Sequence, residues 1–66
     1  MYNLTITKNP PSRYKRTRQV ESLRFILTYY TGEFDAEKAI QIATALNANN
    51  YYMFKTTNYK IEITLA

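Results

Sequence analysis

The chain has 66 residues, nine Lys+Arg against five Asp+Glu, and a formal net charge of +4. That length allows a single domain over residues 1–66 and leaves no room for a separate cofactor domain. The chain has no His and no Cys. This removes the usual zinc and iron–sulfur ligands, disulfides, thiol nucleophiles and the base that titrates near neutral pH. No enzymatic activity, no metal and no cofactor are therefore expected. A hydrophobic fraction of 45% with 15% aromatic residues is that of a folded domain. No run approaches 18 apolar residues, so no membrane span is expected. The first residues lack the pattern of a signal peptide, and cytoplasmic residence is the expectation.

Residues 2–8 alternate, with Tyr2, Leu4 and Ile6 against Asn3, Thr5 and Thr7. Period two with β-branched residues predicts a strand. Asn9-Pro10-Pro11-Ser12 ends it, since proline lacks an N–H and restricts the residue before it. Residues 12–19 carry no apolar period and read as part of an exposed basic loop at about 9–19. Residues 20–31 fit two patterns. Val20, Leu23, Ile26, Leu27 and Tyr30 make a helical stripe, whereas Leu23, Phe25, Leu27 and Tyr29 make a strand face. The aromatic and β-branched composition favours a strand.

Gly32 breaks the pattern, Asp35 is a good N-cap, and Glu37 suits the first turn of a helix. A helix from Ala36 to about Asn47 follows, with Ala36, Ala39, Ile40, Ala43 and Leu46 predicted on its inner face. Residues 51–65 read as a hairpin turning at Thr57-Asn58. That register pairs Phe54 with Ile61 and Tyr52 with Ile63. It leaves Tyr51, Met53, Lys55, Lys60 and Glu62 on the opposite face.

The expected fold class is α+β, a small two-layer domain. A four-stranded, mostly antiparallel sheet carries one helix on one face, in the order ββαββ, with βααββ as the alternative. The expected core is Leu4, Ile6, Leu23, Phe25, Leu27, Phe34, Ala39, Ile40, Ala43, Leu46, Phe54, Ile61 and Ile63. The uncovered sheet face is expected to show Ile26, Tyr30, Tyr51 and Met53 with Arg24, Lys55 and Lys60. An apolar face of that kind marks an interaction site.

Six of the nine basic residues lie between positions 8 and 24: Lys8, Arg13, Lys15, Arg16, Arg18 and Arg24, with Glu21 alone against them. Arginine predominates, and its planar fork binds phosphate through two parallel hydrogen bonds. Tyr14 lies inside the run and suits stacking on an exposed base. The expected nucleic-acid-binding residues are Arg13, Tyr14, Lys15, Arg16, Arg18, Arg24, Lys55 and Lys60. RNA or single-stranded nucleic acid is favoured, because no predicted helix carries the basic run into a major groove.

The alternative is a protein-binding inhibitor or adaptor acting on an acidic or nucleic-acid-handling protein. Its interface would be Ile26, Tyr30, Tyr51 and Met53, since tyrosine dominates interface energetics. A homodimer closing the uncovered face is a third reading. Glu33, Asp35 and Glu37 read as helix-capping acids rather than a metal or catalytic cluster. Ser12 and Ser22 have no His to activate them. The segment from Leu23 through the helix to Leu65 resembles a βαββ half-domain found in unrelated binding modules. The short, basic, Tyr- and Asn-rich chain as a whole resembles the small accessory proteins of bacteriophages. That resemblance implies binding to a host factor or to nucleic acid, and it carries no individual residue with it.

Overall fold

The alternation of residues 2–8 does form a strand, β1 (Tyr2–Lys8). A computed structural model describes residues 1–8 and 15–66 of the chain. The remaining elements are β2 (Lys15–Val20), α1 (Leu23–Thr31), α2 (Ala36–Asn49), β3 (Tyr52–Lys55) and β4 (Tyr59–Leu65). The strands form one antiparallel sheet in the order β2-β1-β4-β3. The α+β class and the four antiparallel strands are as expected. The order is ββααββ, so there are two helices, and the second strand is not the one predicted.

Two segments account for that correction. Residues 15–20 form the edge strand β2 instead of a loop, paired from Tyr2↔Val20 to Thr7↔Lys15. Their period-two pattern is disguised. Arg16, Arg18 and Val20 pair with Ile6, Leu4 and Tyr2, so the two arginines occupy core-side positions where a strand normally carries apolar residues. Arginine can do this because its aliphatic stem covers apolar surface while its head reaches water. The Arg18 guanidinium lies 5.4 Å from the Phe25 ring centroid and 5.9 Å from that of Tyr29. Both rings belong to α1, which therefore packs over β2.

Residues 23–31 are helix, not strand. Ser22 caps the N-terminus, its Oγ accepting from the Phe25 N–H at 3.2 Å. Gly32 closes the other end in the left-handed region at φ 89°, its N–H donating to the Thr28 carbonyl. A cap at each end stabilises this short helix against its composition. The helical stripe then decides the packing. Ile26 and Leu27 are fully buried, with Leu23 and Tyr30 packed on them. Phe25, expected in the core, is 39% exposed and stacks on Tyr29 with centroids 5.5 Å apart.

In α2 the Asp35 cap is as expected, accepting from the Glu37 and Lys38 N–H groups. Asn50 ends the helix at φ 53°, a left-handed conformation that asparagine tolerates. The inner face is rotated from the prediction. Ile42 and Leu46 are buried, whereas Ile40 is 66% exposed. Ala43 and Phe34, also expected inside, are exposed. Ile42, Leu46 and the part-buried Ala39 follow the i, i+3, i+4, i+7 spacing of one helix face.

The β3–β4 hairpin has the predicted register, with Phe54 opposite Ile61 and Tyr52 opposite Ile63. The Thr56 N–H donates to the Tyr59 carbonyl at 2.8 Å and closes the turn. The core is Leu4, Ile6, Val20, Ile26, Leu27, Ile42, Leu46, Phe54, Ile61 and Ile63. Burying each of the larger side chains stabilises the fold by roughly 1.5–3 kcal/mol before entropy is counted. Both helices pack on this one face.

Candidate nucleic-acid interface

Side chains alternate across a strand, so the register assigns every residue of the helix-free face. β1 contributes Asn3, Thr5 and Thr7, β2 contributes Lys15, Thr17 and Gln19, β4 contributes Lys60, Glu62 and Thr64, and β3 contributes Met53 and Lys55. Residues in register form rows perpendicular to the strands. One row reads Lys15–Thr7–Lys60–Lys55 from edge to edge. At the usual strand spacing it spans about 14 Å. The next row reads Thr17–Thr5–Glu62–Met53.

Glu62 is the one carboxylate at these register positions. Its Oε1 lies 3.8 Å from Lys60 Nζ, and its Oε2 accepts a 2.8 Å hydrogen bond from the Tyr51 hydroxyl. That hydrogen bond, with the adjoining negative charge, holds the Tyr51 phenol above its ordinary pKa of 10.0. Tyr51 is thereby held against Glu62 of the neighbouring row. Among the described residues Lys60–Glu62 is the sole ion pair, and Lys15 and Lys55 are exposed to solvent.

The expected site residues divide into groups. Arg13 and Tyr14 lie outside the described residues. Lys15, Lys55 and Lys60 come together in one row, although 40 or more positions separate the first from the others. Arg16 and Arg18 flank a different surface, on the helix side of β2. Arg24 lies on α1 with its guanidinium 4.3 Å from the Phe34 ring centroid, away from the open face. The expected aromatic face does not form. Ile26 is 0% exposed in the core, and Tyr30 packs under α1 on the covered side; both are on a helix rather than a strand. Tyr51 and Met53 alone of that set border or lie on the open face.

Thr17, whose hydroxyl the sequence offers to phosphate beside that of Ser12, lies on the open face, and with it stand Thr5 and Thr7, which the sequence did not single out. Nor did it single out Tyr29 and Tyr59, which stand beside Arg16 and Arg18. Reading Lys15–Val20 as a strand would have placed Lys15 and Thr17 on one face and Arg16 and Arg18 on the other.

Among the described residues no cluster of three potential metal-ligating side chains occurs. No described helix is long and apolar enough to cross a membrane. Comparison with protein-family models, with curated proteins and with solved structures gives no match.

Proposed function

We propose that this chain is a small non-enzymatic nucleic-acid-binding module that carries RNA or another single strand across the open face of its sheet. The observation that supports this most is the row Lys15–Thr7–Lys60–Lys55. A row of ammonium groups across an open sheet face suits successive phosphates of a strand, each lysine acting as a point charge. The neighbouring threonine hydroxyls add donors for phosphate oxygens. Tyr51, exposed and hydrogen-bonded to Glu62 of the neighbouring row, offers a ring on which a base stacks. Neither helix is basic enough to enter a major groove, since α1 carries Arg24 and α2 Lys38 as single basic residues, and this favours a single strand over duplex DNA.

The experiment is anisotropy of a labelled single-stranded RNA and of a matched DNA duplex, titrated between low and physiological salt. Three lysines on a single strand give a slope of log K against log salt of about −2. Reversing Lys15 and Lys60 to Glu is expected to abolish RNA binding and leave the fold intact. RNA binding unchanged in that double variant would overturn the proposal. A protein adaptor is the competing function, and it would show instead as retained partner binding at high salt.

A further inference from the structure

The other face of β2 carries a second surface that the open-face reading does not use. An open cleft of about 410 Å³ lies on the helix side of the sheet, lined by Ile6, Arg16, Arg18, Tyr29, Tyr30 and Tyr59. Ile6, 4% exposed and part of the core, lies at its base, and most of the lining is polar. Its walls bring two guanidinium groups and three phenols together, and among the described residues no carboxylate lines it. Arg18 is oriented by the rings of Phe25 and Tyr29 at 5.4 and 5.9 Å. Tyr29 and Tyr30 meet edge to face with centroids 4.8 Å apart. Arg16 is exposed and half a strand repeat from Lys15, so it points away from the lysine row.

We infer that this cleft is a nucleotide-binding site, taking a 5′-phosphate on Arg16 and Arg18 and the attached base against the tyrosine rings. A guanidinium fork matches phosphate oxygens in two parallel hydrogen bonds. The phenol hydroxyls donate to sugar and phosphate, and their rings supply π-faces that any base can stack on. A cleft of this volume with convergent arginine and tyrosine side chains suits a small, charged and partly aromatic ligand. A bare inorganic anion would leave the rings uncovered, and an uncharged ring would leave the charge of Arg16 and Arg18 unanswered. The ligand chemistry is therefore a planar base joined to a phosphate. Two sources carry it: a mononucleotide in solution, or the 5′-terminal nucleotide of a strand.

The test is an amide-shift titration of the isotope-labelled chain with adenosine 5′-monophosphate, adenosine and inorganic phosphate as separate probes. The monophosphate is expected to give saturable shifts at Arg16, Arg18, Tyr29, Tyr30 and Tyr59. Adenosine and phosphate are expected to bind at least about tenfold more weakly, each lacking one half of the recognition. Arg16→Gln should weaken the monophosphate about tenfold, since it removes charge-assisted bonds from an exposed position. Arg16→Lys should recover part of that loss, and Lys60→Gln should change nothing. Equal binding of all three probes, shifts confined to Lys15, Lys55 and Lys60, or an Arg16→Gln chain that binds as the parent would each overturn the inference. A short 5′-phosphorylated oligonucleotide compared with its 5′-hydroxyl form separates the two sources. Shifts at the cleft that depend on the 5′-phosphate assign it to strand ends. Cleft shifts with the monophosphate alone assign it to the nucleotide in solution. Because Lys60 and Arg16 variants are read separately, failure of the open-face proposal leaves this result standing, and the reverse.

Discussion

Lys55 and Lys60 face each other directly across the β3–β4 hairpin, on the side of the sheet that neither helix covers. Like charges in directly opposed positions destabilise a sheet by roughly 0.2–1 kcal/mol. Glu62 offsets this for Lys60, at 3.8 Å, but the pairing remains a cost to folding that a ligand with negative charge would relieve. Lys55→Thr is therefore expected to act in opposite directions on two measurements. Chemical denaturation should show a stability gain of a few tenths of a kcal/mol, while RNA affinity at low salt should fall. A variant that loses stability and keeps its affinity would contradict both halves of the argument.

The two helices bury faces that a pair of isoleucines distinguishes. Ile26 is 0% exposed and Ile40 is 66% exposed. Ile26→Ala should cost about 2–5 kcal/mol, the range for a large side chain removed from a packed core. Ile40→Ala should stay within about 0.5 kcal/mol of the parent. Equilibrium unfolding in urea separates the two. A large loss at Ile40 would mean that the inner face of α2 runs through Ile40 rather than Ile42.

Gly32 tests whether α1 depends on its caps. Its φ of 89° is strained for any side chain, yet a Cβ there would meet nothing within 4 Å. Gly32→Ala should therefore cost about 1 kcal/mol through the backbone alone. Ser22→Ala, which removes the acceptor for the Phe25 N–H, should cost a similar ~1 kcal/mol. The two caps lie at opposite ends of the helix, so the losses should add in the double variant. Thermal melts of the single and double variants provide the comparison.

The Tyr51–Glu62 hydrogen bond predicts a pH dependence with a definite sign. Its acceptor, the Glu62 carboxylate, raises the Tyr51 phenol above 10.0. A raised pKa in the folded chain means that the stabilisation is present below the ordinary tyrosine value and is lost as pH rises through the folded one. Glu62→Gln removes the negative charge and should bring the ionisation of Tyr51 back towards 10.0, as read from its ring carbon shifts. An unchanged titration in that variant would place the cause elsewhere.

Much of the fold was legible locally. The β1 alternation, the Asp35 cap and the hairpin register around Thr57-Asn58 each follow from a few neighbouring residues, and each is where it was expected. Residues 15–20 were not legible, because the core-side positions of β2 hold arginines and the apolar alternation that announces a strand is missing. Residues 23–31 carried both periods. Their composition favoured the strand, and the Ser22 and Gly32 caps, together with the burial of Ile26 and Leu27, selected the helix.

For the candidate site, the sequence by itself determined the charge, the lack of His and Cys, and the lysines and tyrosines available to a ligand. It also determined that Lys55 and Lys60 share one face, since a hairpin register is a local property. The tertiary structure alone decided that Lys15 joins them. That needs β1 to pair with β2 on one side and β4 on the other, a contact between the two ends of the chain. It also decided that Arg16 and Arg18 turn away from Lys15 to meet the α1 tyrosines. A strand sends alternate side chains to opposite faces, so becoming a strand divided the basic segment between two surfaces.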